Sequence, residues 1–148
     1  MKPTLPAVLV LTGALPFLSA TLSLVAGGPF HPTTSVVMLI TYAAVILSFL
    51  GGIHWGLALK IMGDAPTSAT RLFILSVLPS LAGWGILFGL ANPHWQLAAA
   101  AGVFAAVWAL DGLLTVQGIL PRWFFNLRSL ITAIVVSCLG VSWWVLPP

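Results

Sequence analysis

Val36–Leu59 reads VVMLITYAAVILSFLGGIHWGLAL, an apolar run without a single Asp, Glu, Lys or Arg, closed by Lys60. A helix needs about 20 mostly apolar residues to cross a bilayer, and this run supplies that length. Working outward, four more stretches reach spanning length, at roughly 6–26, 72–90, 95–116 and 127–146. The connections between them are short and leave no room for a soluble domain. The fold class expected is therefore all-α: an integral membrane protein, one transmembrane domain over residues 1–148, built as a compact bundle of five transmembrane helices.

Composition agrees. Of 148 residues, 60% are hydrophobic and only 5% charged, against roughly a quarter charged in soluble domains. The net charge of +3 comes from too few basic residues to form a nucleic-acid patch. A single cysteine, Cys138, excludes an intramolecular disulfide and reads as a small apolar core residue. Lys2 gives the first span the look of a signal peptide, but the apolar stretch is too long and no small-x-small cleavage site follows cleanly. It is read as a mature helix.

Orientation follows from charge. Lys2, Lys60, Arg71, Arg122 and Arg128 all fall on one side of the five-span arrangement, and the other side carries no Lys or Arg. The positive-inside rule then puts the amino terminus in the cytoplasm and the carboxyl terminus outside. The same asymmetry argues against dual topology.

Two ionisable residues interrupt this apolar background: His54 in SFLGGIHWG and Asp111 in AVWALDGLL. Each lies about six residues from the positively flanked end of its span, so about 9 Å inside the same edge. Such groups in hydrocarbon are costly and usually face a bundle interior or a water-filled cavity. Pro16 and Pro79 break the first and third spans, freeing the carbonyls of Thr12 and Leu75 in the same half of the bilayer. Ser76 and Ser80 flank the second break and could satisfy it, and Thr115 shares a face with Asp111. Two readings of the prolines stay open, kinks that improve packing or a shared polar layer. For His54 and Asp111 the alternatives are a buried clasp fixing helix register, a ligand or lipid-headgroup site, and a proton or ion path.

Small residues repeat at four-residue spacing: Ser48, Gly52 and Gly56; Ala98, Gly102 and Ala106; Gly85 and Gly89. Membrane helices approach closely through such ridges. The ridges point away from His54 and Asp111, so these spans either sit centrally or meet another subunit. Trp95, Trp143, Trp144, Trp55 and Trp123 read as interfacial anchors, whereas Trp84 and Trp108 lie deeper and are expected to pack inside or line a cavity. The segment QGILPRWFFNLR, 117–128, is expected in the headgroup layer, with Arg122, Trp123 and Arg128 at the interface. Alternatively, Arg128 reaches inward to Asp111.

No nucleophile elbow, phosphate loop, zinc-protease helix or cysteine cluster is present. His31 and His94 sit in loops beside prolines and read as solvated. No close-spaced ligand pair suggests a metal, and no cofactor is expected.

Thr41–Leu59 (TYAAVILSFLGGIHWGLAL), Arg71–Trp84 (RLFILSVLPSLAGW) and Ala109–Thr132 (ALDGLLTVQGILPRWFFNLRSLIT), in that order, resemble the transmembrane protein 69-like family. Val10–Ala20 (VLTGALPFLSA), with Pro16, fits that family's first span. This is a domain-of-unknown-function family of bacterial membrane proteins with a mitochondrial branch, and the resemblance implies a multi-pass protein of a bacterial inner (cytoplasmic) membrane. The resemblance marks Gly51, Gly52, Trp55, Gly56, Pro79, Asp111, Pro121, Trp123 and Arg128. It also implies that position 54 accepts arginine, and that Phe124 stands where the family carries tyrosine. It implies no biochemical activity.

The expected role is that of a non-enzymatic accessory or assembly-type protein with a polar site in the cytoplasmic leaflet. Its partners would be the lipid bilayer and either a second copy or another membrane protein, with no nucleic acid. The alternative is a small oligomeric proton- or ion-coupled transporter or channel using Asp111 and His54. An intramembrane enzyme acting on lipid or quinone is a third, weaker reading.

Overall fold

The computed structural model describes residues 4–147, so Lys2, which entered the orientation argument, lies outside the described residues. The described chain is helical, without strands: α1 (Thr4–Thr12), α2 (Leu15–Ala26), α3 (Pro32–Ile61), α4 (Pro66–Gly89), α5 (Pro93–Val116) and α6 (Arg122–Val145). Five helical stretches are long and apolar enough to cross a membrane, with α1 and α2 together forming the first, Thr4–Ala26.

Proline sets the helix starts. Pro32, Pro66 and Pro93 occupy the first turns of α3, α4 and α5, and Pro121 caps α6. Proline suits that place because its missing N–H has no intrahelical partner there and its φ is already helical. The helices therefore begin several residues before the apolar runs, at Pro32 rather than 36 and Pro66 rather than 72. Hydropathy marks the part fit for hydrocarbon, while backbone hydrogen bonding continues into the polar turn before it.

The two internal prolines behave differently. Ahead of Pro16 the first span breaks: Ala14 N–H bonds back to the Leu11 carbonyl at 3.0 Å, a tightened turn, and α2 restarts at Leu15. The Tyr42 hydroxyl on α3 donates to the Gly13 carbonyl at this break, at 3.1 Å. α4, in contrast, runs through Pro79 without interruption. Ser76 donates to the Phe73 carbonyl at 2.7 Å, not to the freed Leu75 carbonyl, which corrects the expected role of that serine.

α3 packs against α2, α4 and α5, and α6 against α1, α2 and α5. The main core gathers Phe17, Leu39, Leu47, Leu97, Phe104 and Leu139, with Phe17 meeting Phe104 edge-on at 6.1 Å. A smaller cluster, Ala58, Leu72, Leu114 and Leu120, closes the end nearer Lys60 and Arg71.

The close approach of α3 and α4 runs through glycines other than those of the expected ridges. A methyl group at Gly51 would collide with the Ser76 carbonyl oxygen, and one at Gly83 would lie 3.0 Å from the Ala44 Cα. Gly52, Gly56, Gly85, Gly89 and Gly102 have open space where a Cβ would be. Ser48, Gly52, Gly56, Ala98, Gly102 and Ala106 are exposed on the bundle surface. One residue of helix turns the chain by about 100°, so Gly51 faces α4 while Gly52 faces outward.

The deep tryptophans also depart from expectation. Trp84 is 63% and Trp108 39% exposed, so neither packs in the core. Trp108 lies on the outer surface, stacked on Phe125 at 5.9 Å and donating from Nε1 to Ser129 Oγ at 2.9 Å. Depth along a helix did not determine direction around it. His94 is not simply solvated: its Nε2 lies 3.1 Å from the Leu146 carbonyl, and its ring meets Trp143 edge-on.

Candidate functional site: a buried acid between two bases

Three helices each place one ionisable side chain at a common point. Asp111 on α5 has one carboxylate oxygen 2.8 Å from His54 Nε2 on α3. Its other oxygen accepts from Arg128 Nε on α6, also at 2.8 Å. All three are buried, His54 at 1%, Asp111 at 2% and Arg128 at 6% exposure. With the carboxylate ionised, Nε2 of the imidazole carries the donated proton, which fixes the tautomer of a neutral His54.

Local sequence delivers each group. On α5, Phe104, Val107, Asp111 and Leu114 recur at three- and four-residue spacing and share the buried face. On α6, Arg128, Ile131, Thr132 and Val135 do the same. Arg128 therefore belongs to the core side of α6, which corrects its expected place in the headgroup layer. Arg122 and Trp123, in the first turn of that helix, are exposed.

The remaining polar residues expected here sit elsewhere. Thr12 is exposed and donates to the Leu9 carbonyl at 2.8 Å. Ser76 and Ser80 line a separate groove of about 210 Å³ between α3 and α4, together with Ser48 and Gly52. Thr115 donates to the main-chain carbonyl of Asp111 at 2.8 Å, not to its carboxylate. Thr132 was missed, although its spacing from Arg128 puts it one turn along the same face; its hydroxyl is buried without a partner among the described residues.

Two polar atoms of the cluster are likewise buried without a partner among the described residues: His54 Nδ1 and Arg128 Nη2. Arg128 also lines a cavity of about 290 Å³ bordered by α1, α2, α3 and α6. Phe17, Leu50 and Val135 form its buried floor, while Leu9 and Phe49 stand exposed at its rim. Every other side chain lining it is apolar, so Arg128 is the one charged residue along it.

Chemically, the arrangement can hold three helices in register through one shared carboxylate. Both carboxylate oxygens are engaged, each by one side chain from another helix. Among the described residues, no three His, Cys, Asp or Glu side chains converge where they could hold a metal ion.

Comparison with known proteins gives a consistent result. A family described as "Protein of unknown function (DUF3429)" matches residues 2–144. Transmembrane protein 69 of Xenopus tropicalis is 33% identical over 138 residues, covering 93% of this chain and 52% of the relative. The chain thus spans about half the length of that curated relative. No solved structure matches it.

Proposed function

The chain belongs to the DUF3429 family of proteins of unknown function, the grouping its resemblance to transmembrane protein 69 implied, and on that premise we propose a non-enzymatic accessory or assembly-type role in a bacterial inner membrane. Its amino terminus is cytoplasmic in this reading, which the one-sided placement of Lys and Arg supports. The cluster at Asp111 would then lie in the cytoplasmic leaflet and fix α3, α5 and α6 as one rigid face for a partner or a second copy. The carrying observation is that Asp111 is held on both oxygens, at 2.8 Å each, by side chains from two other helices. An acid tied in this way serves register better than turnover, because releasing either partner leaves a buried charge uncompensated.

Exposed small-residue ridges at Ser48–Gly52–Gly56 and Ala98–Gly102–Ala106 support a partner surface away from that cluster. The test is affinity purification of the tagged chain after cross-linking in its native membrane. A membrane protein, or the chain itself, recovered at near-stoichiometric amounts supports the role; a chain recovered only as a monomer without companions removes it.

A second reading, a proton- or ion-coupled transporter, draws on His54 Nδ1, a buried imidazole nitrogen with no partner among the described residues. Asp111→Asn in liposomes decides it: flux in the wild type that the variant loses would establish transport, and no flux in either would end this reading.

A further inference from the structure

We propose that the cleft between α4 and α5 binds one anionic phospholipid, with its phosphate at Arg71 and an acyl chain along the apolar length of the cleft. α4 leans on α3 and α5 on α6, while α4 and α5 touch each other much less. The space between them holds two cavities in line. The first, about 230 Å³, is lined by Ser68 and Arg71 of α4 and by Gln117 at the end of α5, with leucines from both helices. The second, about 330 Å³, is lined only by apolar residues, among them Leu78 and Ala82 on α4 and Val103 and Ala106 on α5. Leu75 and Leu110 line both, so the two join into one cleft with a polar mouth and an apolar length.

Charge narrows the occupant. Ser68, Arg71 and Gln117 are all exposed, so the mouth is open to a ligand. Arg71 belongs to neither of the ion pairs found among the described residues. Asp64, the one acid at this end outside the buried cluster, does not line the cleft. A guanidinium offers paired N–H donors that match phosphate oxygens, and basic pockets between membrane helices hold anionic headgroups. Ser68 and Gln117 add further donors. A zwitterionic headgroup would bring an ammonium with no carboxylate to meet it, so the mouth favours a lipid of net negative charge.

Depth agrees with charge. Arg71 immediately precedes the apolar run that starts at Leu72, the level at which a phosphate lies. From Arg71 to Ala82, α4 rises about 16 Å at roughly 1.5 Å per residue. That is close to half of a hydrocarbon core roughly 30 Å thick, the depth of one leaflet. Leu75, Leu78 and Leu113 are exposed along the cleft, so an acyl chain can enter sideways from the bilayer. Ala106, the last residue of the exposed α5 ridge, borders the same cleft, which makes a second copy of the chain the rival occupant. Lipid binding here would hold in whichever leaflet faces Arg71, and does not depend on the accessory role.

The experiment is native mass spectrometry of the full chain in neutral detergent, titrated with dioleoyl phosphatidylglycerol and, separately, dioleoyl phosphatidylcholine. One phosphatidylglycerol per chain is expected to bind at least tenfold more tightly than phosphatidylcholine. Arg71→Gln, at an exposed position outside the ion pairs, should remove that preference while helix content by circular dichroism is unchanged. Ala106→Trp, which fills the apolar length, should weaken phosphatidylglycerol binding at least tenfold. Arg122→Gln, an exposed arginine at the same end that does not line the cleft, should leave binding within twofold. No preference for the anionic lipid, or an equal loss in Arg122→Gln and Arg71→Gln, overturns the proposal by reducing it to diffuse attraction in the headgroup layer. Glycerophosphate competing as well as the whole lipid overturns it by assigning the mouth to a soluble phosphate. Dimers in place of lipid adducts, lost in Ala106→Trp, overturn it by assigning the cleft to a second copy. Cross-linked partners report on the accessory role and lipid adducts on the cleft, so the two can fail separately.

Discussion

Asp111 and Arg128 meet at 2.8 Å between α5 and α6, each with less than a tenth of its side chain exposed. A pair in that setting is a joint property of two residues. Removing one leaves the other charged in a place that cannot solvate it, and the loss is then typically about 3–5 kcal/mol. Asp111→Leu and Arg128→Leu are each expected to destabilise the bundle by about that amount, read as SDS-induced unfolding in mixed micelles. The double variant should be more stable than either single one. Additive losses would mean that the two residues are not coupled.

His54 is the other partner of the same carboxylate, at 2.8 Å from Oδ1. Its contribution is a hydrogen bond to a buried anion, and losing such a partner costs about 1–3 kcal/mol. His54→Leu should therefore cost less than Asp111→Leu in the same unfolding assay. His54→Gln, which can return an N–H toward Oδ1, should recover most of the difference. A glutamine variant as unstable as the leucine variant would place the role of His54 in ring packing.

The depth of His54 and Asp111 was legible because helical rise converts sequence distance into depth, and the spans were unmistakable. The alternative for Arg128, reaching inward to Asp111, could be framed from its place at the start of the last span. Choosing it over the headgroup reading required the rotation of α6, which adjacent aromatics at Trp123, Phe124 and Phe125 do not fix. The ridges failed for a related reason. Gly51 and Gly52 are both glycine, and four-residue spacing beginning at Ser48 selects Gly52, whereas the helix contact is made by Gly51. Trp84 and Trp108 lie where depth alone suggests core, but hydrocarbon outside is as apolar as protein inside, so burial has no sequence signature there. The cavity was not legible at all, since its walls come from α1, α2, α3 and α6.

That choice between adjacent glycines can be tested directly. Gly51→Ala pushes a methyl group onto the Ser76 carbonyl oxygen, and overpacking of this kind typically costs about 1–3 kcal/mol. Gly52→Ala points into open space and should stay within about 1 kcal/mol of the wild type, the scale of intrinsic helix propensity. Thermal unfolding of both variants in detergent ranks them. Equal loss in the two would mean that both faces of α3 are in tight contact.

Topology has an independent readout. If the proposed orientation holds and Lys60, Arg71 and Arg122 face the cytoplasm, alkaline phosphatase fused after Asp64 should be inactive. The same enzyme fused after Asn92, or after Leu146, should be active. A reversed pattern would move the Asp111 cluster to the outer leaflet and remove the cytoplasmic-leaflet part of the proposed role.

The outward ridge on α3 makes the last prediction. Ser48, Gly52 and Gly56 are exposed, with nothing within 4 Å of a Cβ placed at either glycine. A small-residue face of this kind lets two membrane helices approach until their backbones touch. If a second copy docks there, Gly52→Leu should abolish dimers counted by single-molecule photobleaching in liposomes. A Cβ at Gly52 meets no neighbour in its own bundle, so unfolding of the same variant should stay close to the wild type and separates lost dimers from lost folding. Gly102→Leu, on the exposed ridge of α5, makes the parallel test of the second surface. Dimers that survive both substitutions would assign self-association to another face, and a chain monomeric before either substitution would leave these ridges facing lipid.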